Sequence, residues 1–434
     1  MEKKGNAELM DKIVSLCKRR GFVFPGSEIY GGLANSFDYG PLGVELKNNI
    51  KNLWWKRFVQ QRDDMVGIDA ALIMNPKVWE ASGHLKEFSD PLVECEKCKR
   101  RFRADHIEGK KCPDCGGKLS EPRQFNLMLK TFLGVTEDSV STVYFRPETA
   151  QAMFVDFKNV LDTTRRKLPF GVAQIGKAFR NEVTPGNFIF RTREFEQMEI
   201  EYFIPVPKKD IDWEKVFEYW QKEMWAWATD ELGIKKENLH DCECESENRA
   251  HYSKKTIDIE YDYPFGRSEL YGLAYRTDFD LKNHFKEAPY EDKDSGEKLY
   301  PHVVEPTFGV DRSVLAVLLD SYAEEGERVV LKIKPSLAPY KVAVFPLLKN
   351  KPELVEKARE VYDALRKQFT VAFDDRGNIG KRYYSQDEIG TPFCVTVDFD
   401  TLKNDDVTVR DRDTMKQERM KIANLQPFLN GKLG

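Results

Sequence analysis

The sequence predicts an α+β fold, in which an antiparallel sheet flanked by helices carries an inserted cysteine-rich module and an appended α/β domain. Three observations lead to this prediction. In two segments between residues 179 and 199, polar side chains recur at every second position, which is the pattern of an antiparallel hairpin. The composition changes between residues 90 and 125. After residue 334, apolar strand-like runs alternate with helical patterns, which is typical of α/β units.

The length of 434 residues exceeds what one hydrophobic core fills and indicates about two to four domains. A net charge of −4 excludes a protein that coats nucleic acid along its whole surface, so any RNA contact must use local basic patches. The first twenty residues resemble neither a secretory signal nor a transit peptide. Because no uncharged apolar run could span a bilayer, we expect a cytoplasmic protein without a membrane partner.

The first 76 residues are predicted to form two helices and a strand. A helix is expected over residues 7–20. It should end there, because glycine and proline at positions 21–26 disfavour a helix. A second helix begins near Pro41, a residue suited to a first helical turn. Its apolar face is formed by Val44, Ile50, Leu53, Trp54 and Phe58. The mostly apolar segment 65–74 then reads as a strand buried on both sides.

The inserted module, residues 90–125, carries two CxxC pairs. Cys95 and Cys98 form the first pair, and Cys112 and Cys115 form the second after thirteen intervening residues. Each pair can form a metal-binding knuckle, and four thiolates complete a closed tetrahedral site for Zn²⁺. Disulfides or a redox function are the alternative. We therefore interpret the module as a zinc ribbon.

The segment 179–199 is predicted to bind a ligand. Arg180 and Glu182 are two residues apart, so on a strand they point to the same face. After a short loop, side chains of one parity recur at Arg191, Arg193, Phe195, Gln197 and Glu199. Guanidinium groups suit phosphate oxygens, a ring suits a stacked base and a carboxylate suits an ammonium. The pattern indicates a nucleoside triphosphate beside a cationic small molecule, although an ordinary charged strand face is the alternative.

The remaining segments are predicted from their periodicity. Residues 212–232 form a tryptophan-rich helix, which we interpret as core or interface. Cys242 and Cys244 have the wrong spacing for a metal knuckle and are interpreted as incidental. Beyond a proline-containing linker at 334–339, we expect strands at 342–345, 371–373, 393–397 and 406–410, helices at 352–368 and 380–389, and a last helix.

The same segments carry a family resemblance. Residues 179–199 are similar to motif 2 of the class II aminoacyl-tRNA synthetases, and residues 41–76 and 305–320 resemble motifs 1 and 3 in the expected order. Within that class, the chain resembles the homodimeric glycyl-tRNA synthetases of class IIa over nearly its whole length. The matching blocks are FRPETAQ at 145–151, FRTREFEQME at 190–199, AYRTDFDL at 274–281 and EPTFGVDR at 305–312.

The resemblance implies a class II synthetase antiparallel sheet in residues 1–334, with motif 2 at about 178–201. It implies an anticodon-binding domain in residues 335–434. The implied activity is that of a glycine–tRNA ligase, in which ATP activates glycine to glycyl-adenylate plus pyrophosphate and the glycyl group then passes to the 3′ end of tRNA(Gly). The implied partners are therefore ATP, glycine and tRNA(Gly), without DNA. Motif 1 is implied to form a homodimer interface.

The resemblance also assigns residues to the two ligands. Arg180 and Arg312 are the catalytic residues, and Phe195 is expected below the adenine with Arg312 above it. The ATP-binding set is Arg180, Asn181, Glu182, Phe190, Arg191, Phe195, Glu269, Leu270, Gly309, Asp311 and Arg312. The glycine-binding set is Arg103, Glu148, Phe195, Gln197, Glu199, Arg276, Glu305 and Thr307. Glu269 is the implied ligand of Mg²⁺, which accompanies ATP, whereas the zinc of Cys95, Cys98, Cys112 and Cys115 is structural.

Some points stay open in the sequence. The family commonly has serine at the position of Thr307, whose extra methyl group either tightens the glycine pocket or is merely tolerated. A basic group is expected to contact RNA from the region of the last helix: Arg410, Arg412, Lys416, Arg419 and Lys421. The alternatives are a sister synthetase such as the histidyl type and a non-catalytic RNA-binding paralogue. The continuation of 149–151 and the 305–307 segment favour glycine, and the motif arginines favour an active enzyme.

Overall fold

The computed structural model describes residues 2–433 except residues 108, 139, 246–248 and 251. A seven-stranded sheet lies at the centre of the first 330 residues. Six of its strands are antiparallel neighbours, and only the edge strand at Met65–Gly67 runs parallel to its neighbour. This sheet confirms the predicted α+β class.

The N-terminal segment contributes one edge of this sheet and the helix that covers it. Its elements are α1 (Glu2–Arg20), β1 (Val23–Pro25), β2 (Phe37–Tyr39), α2 (Pro41–Trp55), β3 (Met65–Gly67) and β4 (Ile73–Met74). Helix α2 approaches the preceding chain so closely that a Cβ on Gly43 would lie 1.8 Å from the carbonyl oxygen of Phe22. Only glycine fits there. The predicted single strand 65–74 is wrong: it is divided into β3 and β4, because the N–H of Ala70 donates to the side chain of Gln174 instead of to a strand.

The inserted module is a small antiparallel sheet with strand order β6, β5, β7. The elements from residue 76 to residue 132 are α3 (Pro76–Ala81), α4 (His84–Glu87), β5 (Ser89–Glu94), β6 (Arg101–Arg103), β7 (Arg123–Asn126) and β8 (Lys130–Phe132). Strand β8 forms a separate sheet with β4 and a further strand, β9 (Thr142–Phe145).

The central strands and their helices follow. They are α5 (Ala150–Val155), α6 (Phe157–Thr164), β10 (Phe170–Phe179), β11 (Glu194–Ile204), α7 (Asp210–Ala226), β12 (Leu239–Glu243), β13 (Lys255–Tyr263), β14 (Gly266–Thr277), α8 (Phe279–His284), β15 (Tyr290–Glu291), β16 (Lys298–Leu299), β17 (His302–Gly309), α9 (Val310–Ser321), β18 (Tyr322–Glu325) and β19 (Arg328–Leu331). The order across the central sheet is β12, β13, β14, β17, β11, β10, β3.

An aromatic cluster fixes the helices against one face of this sheet. Phe58 packs 5.4 Å from Phe308 of β17 and 5.8 Å from Trp227, measured between ring centroids. Trp54 on α2 and Trp220 on α7 are both fully buried beside them. The tryptophan-rich helix predicted at 212–232 is therefore core, and it continues past α7 as a π-helical turn at Trp227–Glu231. The opposite face of the sheet is left for polar side chains.

The C-terminal domain has a five-stranded sheet of order β21, β20, β22, β23, β24, parallel on one side and antiparallel on the other. Its elements are β20 (Val342–Pro346), α10 (Pro352–Leu365), β21 (Val371–Phe373), α11 (Ile379–Asp387), β22 (Phe393–Val397), α12 (Phe399–Asn404), β23 (Asp406–Asp411), β24 (Gln417–Lys421) and α13 (Ile422–Leu433). The predicted strands and helices agree with these bounds to within a few residues.

The predicted basic group before α13 is wrong in two respects. Its residues lie on β23, on β24 and in the turn between them, not on a helix. Arg410 and Arg412 are 3% and 2% exposed, so their side chains cannot reach an RNA. Arg410 forms an ion pair with the fully buried Asp387, and Arg412 donates to the carbonyl oxygen of Ile333. Charge counting along the sequence could not distinguish these buried arginines from a solvated face.

Every described helix is either too short or too polar to cross a lipid bilayer.

Candidate active site

A cavity of about 480 Å³ opens on the polar face of the central sheet. Its walls come from β11, β14 and β17, from the loop before β11 and from the start of α9. All but three of the residues predicted to bind the two ligands line it. They are Glu148, Arg180, Glu182, Phe190, Arg191, Phe195, Gln197, Glu199, Glu269, Leu270, Glu305, Thr307, Gly309, Asp311 and Arg312. The three predicted residues outside the lining are Arg103, Asn181 and Arg276.

Arginines and aromatic rings alternate along one side of the cavity. The guanidinium carbon of Arg312 lies 4.6 Å from the centroid of the Phe190 ring, and that of Arg180 lies 5.3 Å from the centroid of the Phe195 ring. Arg180 follows directly after the end of β10 and is held by a 3.0 Å hydrogen bond to the carbonyl oxygen of Pro147. Two cation–ring pairs of this kind present flat surfaces and positive charge together, which suits a nucleotide.

The predicted hairpin face is only partly formed as expected. Phe195, Gln197 and Glu199 do share one face of β11 and line the cavity. Arg193 departs from the pattern because it precedes the strand and donates to the carbonyl oxygens of Ala34 and Glu182. Arg312 was expected opposite Phe195, but its ring partner in the structure is Phe190.

Two carboxylates stand at the arginine end of the cavity. Glu269 on β14 forms a 3.0 Å ion pair with Arg312, whose charge lowers the pKa of Glu269. Asp258, on the neighbouring strand β13, lines the same wall. Burial, followed by the charge of Glu269, raises the pKa of Asp258 to about 7. A pair of carboxylates that cannot both ionise freely is a typical binding site for a hard divalent cation.

The other end of the cavity is acidic. Glu148, Glu199 and Glu305 are at most 7% exposed, and all three reach the lining. Glu199 is fixed by hydrogen bonds from the N–H and hydroxyl of Thr149 and by a 2.9 Å bond from Gln197. The hydroxyl of Thr307 donates to Glu199 at 3.3 Å. Three converging carboxylates form a suitable binding site for a small ammonium group.

Arg276 organises this acidic end from behind. Its side chain is fully buried and forms 2.8 Å hydrogen bonds to Glu305 and to both oxygens of Asp280 on α8. It lies 3.9 Å from Glu148, and its guanidinium carbon is 3.7 Å from the centroid of the Tyr252 ring. With these donors committed, Arg276 holds the carboxylates in place and does not itself line the cavity.

The three carboxyl groups of the acidic end differ in the direction of their pKa shifts. Desolvation would raise the pKa of Glu148, but His84 at 3.6 Å and Arg276 together lower it. Burial and then the charge of Glu148 raise the pKa of Glu199. Burial raises the pKa of Glu305 to about 8 in spite of its pairing with Arg276. The acidic end therefore retains proton-binding capacity near neutral pH.

Several residues of the site were missed by sequence reasoning. The side chain of Gln151 donates to Glu148 at 3.0 Å and to Asp280 at 2.9 Å, so it joins the two carboxylates. Asp280 follows Arg276 by four residues inside a matching block, a spacing that could have suggested the pair. Asp258 had no such signal. Cys244, interpreted as incidental, lies in the cavity wall and its thiol is 3.5 Å from Asp258.

Asp311 lines the cavity, but both oxygens of its carboxylate accept hydrogen bonds from neighbouring protein groups. One oxygen accepts from Tyr39 at 2.5 Å and from Lys47 at 3.2 Å, and the other accepts from the N–H of Glu196 at 2.8 Å. Lys47 lies on α2 and Asp311 on α9. Asp311 therefore joins α2 to α9 beneath the site.

The four cysteines of the inserted module come together as the spacing predicted. The sulfurs of Cys95 and Cys115 are 3.5 Å apart and those of Cys98 and Cys112 are 3.7 Å apart, and all four lie within 4.8 Å of one another. A hydrogen bond from the N–H of Cys98 contributes most to lowering the pKa of Cys95, to about 6. Four sulfurs in this arrangement could hold a metal ion.

Arg103 belongs to the module and not to the cavity wall. It forms ion pairs of 3.0 Å with Asp90 and 2.7 Å with Asp105, both from the same module. Asn181 directs its N–H to the carbonyl oxygen of Leu127. Neither side chain is placed in the lining.

Comparison with known proteins agrees with this geometry. Residues 134–322 match the family described as tRNA synthetase class II core domain (G, H, P, S and T), and residues 341–432 match the family described as Anticodon binding domain. Proteins of Alkaliphilus oremlandii and Caldanaerobacter subterraneus subsp. tengcongensis are each 53% identical to the chain. A protein of Geobacillus thermodenitrificans is 51% identical. Each alignment covers 98% of both partners, and each of these relatives is named glycine–tRNA ligase.

Proposed function

The chain belongs to the glycine–tRNA ligases of the class II aminoacyl-tRNA synthetases, and from this membership we propose how its cavity activates glycine and charges tRNA. The reaction joins the glycine carboxylate to the α-phosphorus of ATP with loss of pyrophosphate and then transfers the glycyl group to the 3′ end of tRNA(Gly). The observation that carries the assignment of the two ends is the separation of charge in the cavity. Arginines and rings lie on one side, and three buried carboxylates lie on the other.

ATP is assigned to the arginine end. Arg180 lines the cavity and would approach both the α-phosphate and the glycine carboxylate, where it would stabilise the charge that develops at phosphorus. Arg191 and Arg312 would hold the outer phosphates, and the rings of Phe190 and Phe195 offer faces for the adenine. Glu182 lines the same region and would accept from the adenine amine. No general base is needed, since activation of this kind depends on position and charge neutralisation.

Mg²⁺ is assigned to Glu269, with Asp258 as a second oxygen ligand. Both carboxylates line the arginine end of the cavity, and burial followed by the charge of Glu269 raises the pKa of Asp258. Oxygen donors of this type fit a hard divalent cation. When bound, the ion would neutralise phosphate charge, while the arginines of this chain provide the orientation.

Glycine is assigned to the acidic end. Its ammonium group would lie among Glu148, Glu199 and Glu305, whose positions Arg276 and Gln151 fix. Thr307 closes the space beside Glu199, so a side chain on the α-carbon would meet this wall. A rigid wall is the means by which a small amino acid can be selected against larger ones. A role for Arg103 in holding the adenylate would require its guanidinium group to leave Asp90 and Asp105.

The remaining assignments concern the whole enzyme. Zn²⁺ is the metal that four cysteine sulfurs favour, and we assign it a structural role in the inserted module. A homodimer is proposed because the segment that resembles motif 1, which the family uses for pairing, includes α2 and the edge strand β3. Lys416, in the turn before β24, and Lys421, at the end of β24, are exposed and are proposed to contact tRNA. We propose a cytoplasmic location because charged tRNA is consumed in protein synthesis.

The two-step function is tested by charging a tRNA(Gly) transcript with labelled glycine, alanine or serine in separate reactions. We expect acid-precipitable label with glycine and ATP together, and none when ATP is omitted. Histidine with a tRNA(His) transcript serves as the probe for the sister-enzyme alternative. Charging with histidine instead of glycine would move the chain to that alternative, and binding of tRNA without any charging would support the non-catalytic paralogue.

A further inference from the structure

One carboxyl group behind the acidic end is used by none of the steps above. Glu201 lies on β11 two residues after Glu199, and therefore on the same face of the strand. Its side chain is fully buried. Neither of its carboxyl oxygens has a hydrogen-bond partner among the described residues. Glu201 differs in this respect from Glu199 and Glu305, which both accept hydrogen bonds.

An ionised carboxylate in this position would be costly. Transfer of an unpaired charge into a protein interior costs several kcal/mol or more, and such a group normally keeps its proton instead. The alternation of β11 places a cavity carboxylate, Glu199, next to Glu201 on the same face, and Val172 of β10 is its cross-strand neighbour. This environment therefore favours the neutral carboxylic acid form of Glu201 before glycine binds.

The groups that face Glu201 are mostly acidic. Glu199 lies on its own strand, Glu305 on β17 and Asp280 on α8, while Arg276 on β14 supplies the buried positive charge. His84 lies beside Glu148. Burial and then the charge of Glu305 raise the pKa of Glu201 well above its ordinary value. A cation entering the cavity would reduce the excess of negative charge and make ionisation of Glu201 easier.

We propose that Glu201 is a positioning residue that carries the exchangeable proton of the glycine pocket. It is neutral before substrate binds and gives up its proton when the glycine ammonium enters among Glu148, Glu199 and Glu305. This inference rests on the glycine site proposed above. The O–H bond of Glu201 breaks, the proton leaves to the buffer, and the ammonium group keeps all of its own protons. One positive charge enters and one leaves, so the net charge of the acidic end stays constant on binding.

The direct test is calorimetric titration of the full chain with glycine at pH 7.5 in buffers of different ionisation enthalpy. We expect the binding enthalpy to vary with the buffer in the sense of release of about one proton per site. In Glu201→Gln, the release should fall by more than half while binding persists at roughly tenfold lower affinity. Glu218→Gln, which removes an exposed carboxylate on α7, should behave as wild type. Absence of release in wild type, or a decrease of less than half in Glu201→Gln, would overturn the inference.

A second measurement needs no variant and therefore holds even if Glu201→Gln does not fold. The apparent affinity for glycine in pyrophosphate exchange should increase by about tenfold per pH unit between pH 6 and 8, since one proton is released on binding. A flat profile with glycine-dependent exchange intact would overturn the proton release alone. No glycine-dependent exchange at any pH would instead contradict the proposed function.

Discussion

At the scale of single residues, Arg180 is the side chain on which activation depends most. Its guanidinium group lies between the rings of Phe88 and Phe195, 5.3 Å from the centroid of each, and one hydrogen bond ties it to Pro147. A cation held in this way is positioned before substrate arrives. Positioned positive charge at a developing anion commonly contributes several kcal/mol to a rate.

Arg180→Ala is expected to reduce glycine-dependent exchange of labelled pyrophosphate into ATP by about 10²–10³-fold, because the developing phosphate charge loses its partner. Thermal denaturation should change by no more than ~2 °C, since no buried ion pair is broken. Arg376→Ala, which removes an 88% exposed arginine in the C-terminal domain, is the matched control and should retain full exchange. Undiminished exchange by Arg180→Ala would remove the residue from its assigned role.

The buried carboxyl group of Asp258 should make the thermal stability of the protein depend on pH. Its folded pKa of about 7 lies above its ordinary value of 3.8, so the folded protein binds this proton more tightly than the unfolded chain. The stabilisation from this group is complete below pH 3.8 and is lost as the pH rises through 7. Asp258→Asn cannot ionise. In metal-free buffer it should melt roughly 2–6 °C above wild type at pH 8, with the difference shrinking toward pH 5.

Asp262, on the same strand, serves as the control because its pKa is shifted in the opposite direction. Desolvation opposes its ionisation, but hydrogen bonds from Arg267 and His240 outweigh this and lower its pKa. Asp262→Asn should therefore melt below wild type at pH 8, where the ionised carboxylate contributes to stability. If Asp258→Asn and Asp262→Asn changed the melting temperature at pH 8 in the same direction, the opposite pKa shifts assigned to these two carboxyl groups would be contradicted.

At the scale of elements, the inserted module depends on its metal cluster. Besides the four sulfurs, the described residues of the module form three short strands and a 3-10 turn at Ala104–His106, and its exposed ion pairs contribute little to stability. A bound metal would therefore supply most of its folding free energy.

Replacing Cys95 and Cys112 together with serine is expected to abolish bound zinc, measured by elemental mass spectrometry. Limited proteolysis should then cut within residues 89–126, because the local structure loses its crosslink. Cys242→Ser, at an exposed cysteine of β12, should change neither result. One zinc per chain in the double variant would contradict the ribbon assignment.

The sequence predicted the elements that carry periodic or spaced signals and missed those set by tertiary contacts. Both cysteine pairs, the pairing of β10 with β11 and every C-terminal strand except β24 followed from local pattern. The break between β3 and β4 did not, because a side chain from β10 takes over a backbone hydrogen bond there. The resemblance implied a glycine-binding role for Arg276, but its burial behind the carboxylates, beside Asp280 and Tyr252, could not be predicted. No linear pattern reports such contacts.

At the scale of the whole molecule, a buried ion cluster connects the two domains. Asp387 of α11 is fully buried and accepts from Arg328 of β19 at 3.0 Å and from Arg410 of β23 at 2.8 Å. Arg412 extends the connection to the carbonyl oxygen of Ile333. Two of the arginines first assigned to RNA contact thus hold the C-terminal domain against the catalytic one.

Asp387→Asn should strongly weaken this connection, because it leaves two buried arginines without their carboxylate. Loss of one partner of a buried ion pair typically costs about 3–5 kcal/mol. Calorimetry should show the C-terminal domain melting separately and earlier, by roughly 10 °C. Asp363→Asn, at a half-exposed pair with Arg366, should melt as wild type does. A single unshifted transition in Asp387→Asn would mean that the ion cluster does not couple the domains.

The central claim is that the acidic end of the cavity admits glycine and the arginine end activates it. Exchange of labelled pyrophosphate into ATP, run separately with each standard amino acid, tests this claim most directly. We expect exchange with glycine and no exchange above background with alanine or serine, because we propose that the wall formed by Thr307 and the fixed Glu199 excludes a side chain on the α-carbon. Exchange that depends on a different amino acid, or equal exchange with alanine, would contradict the account.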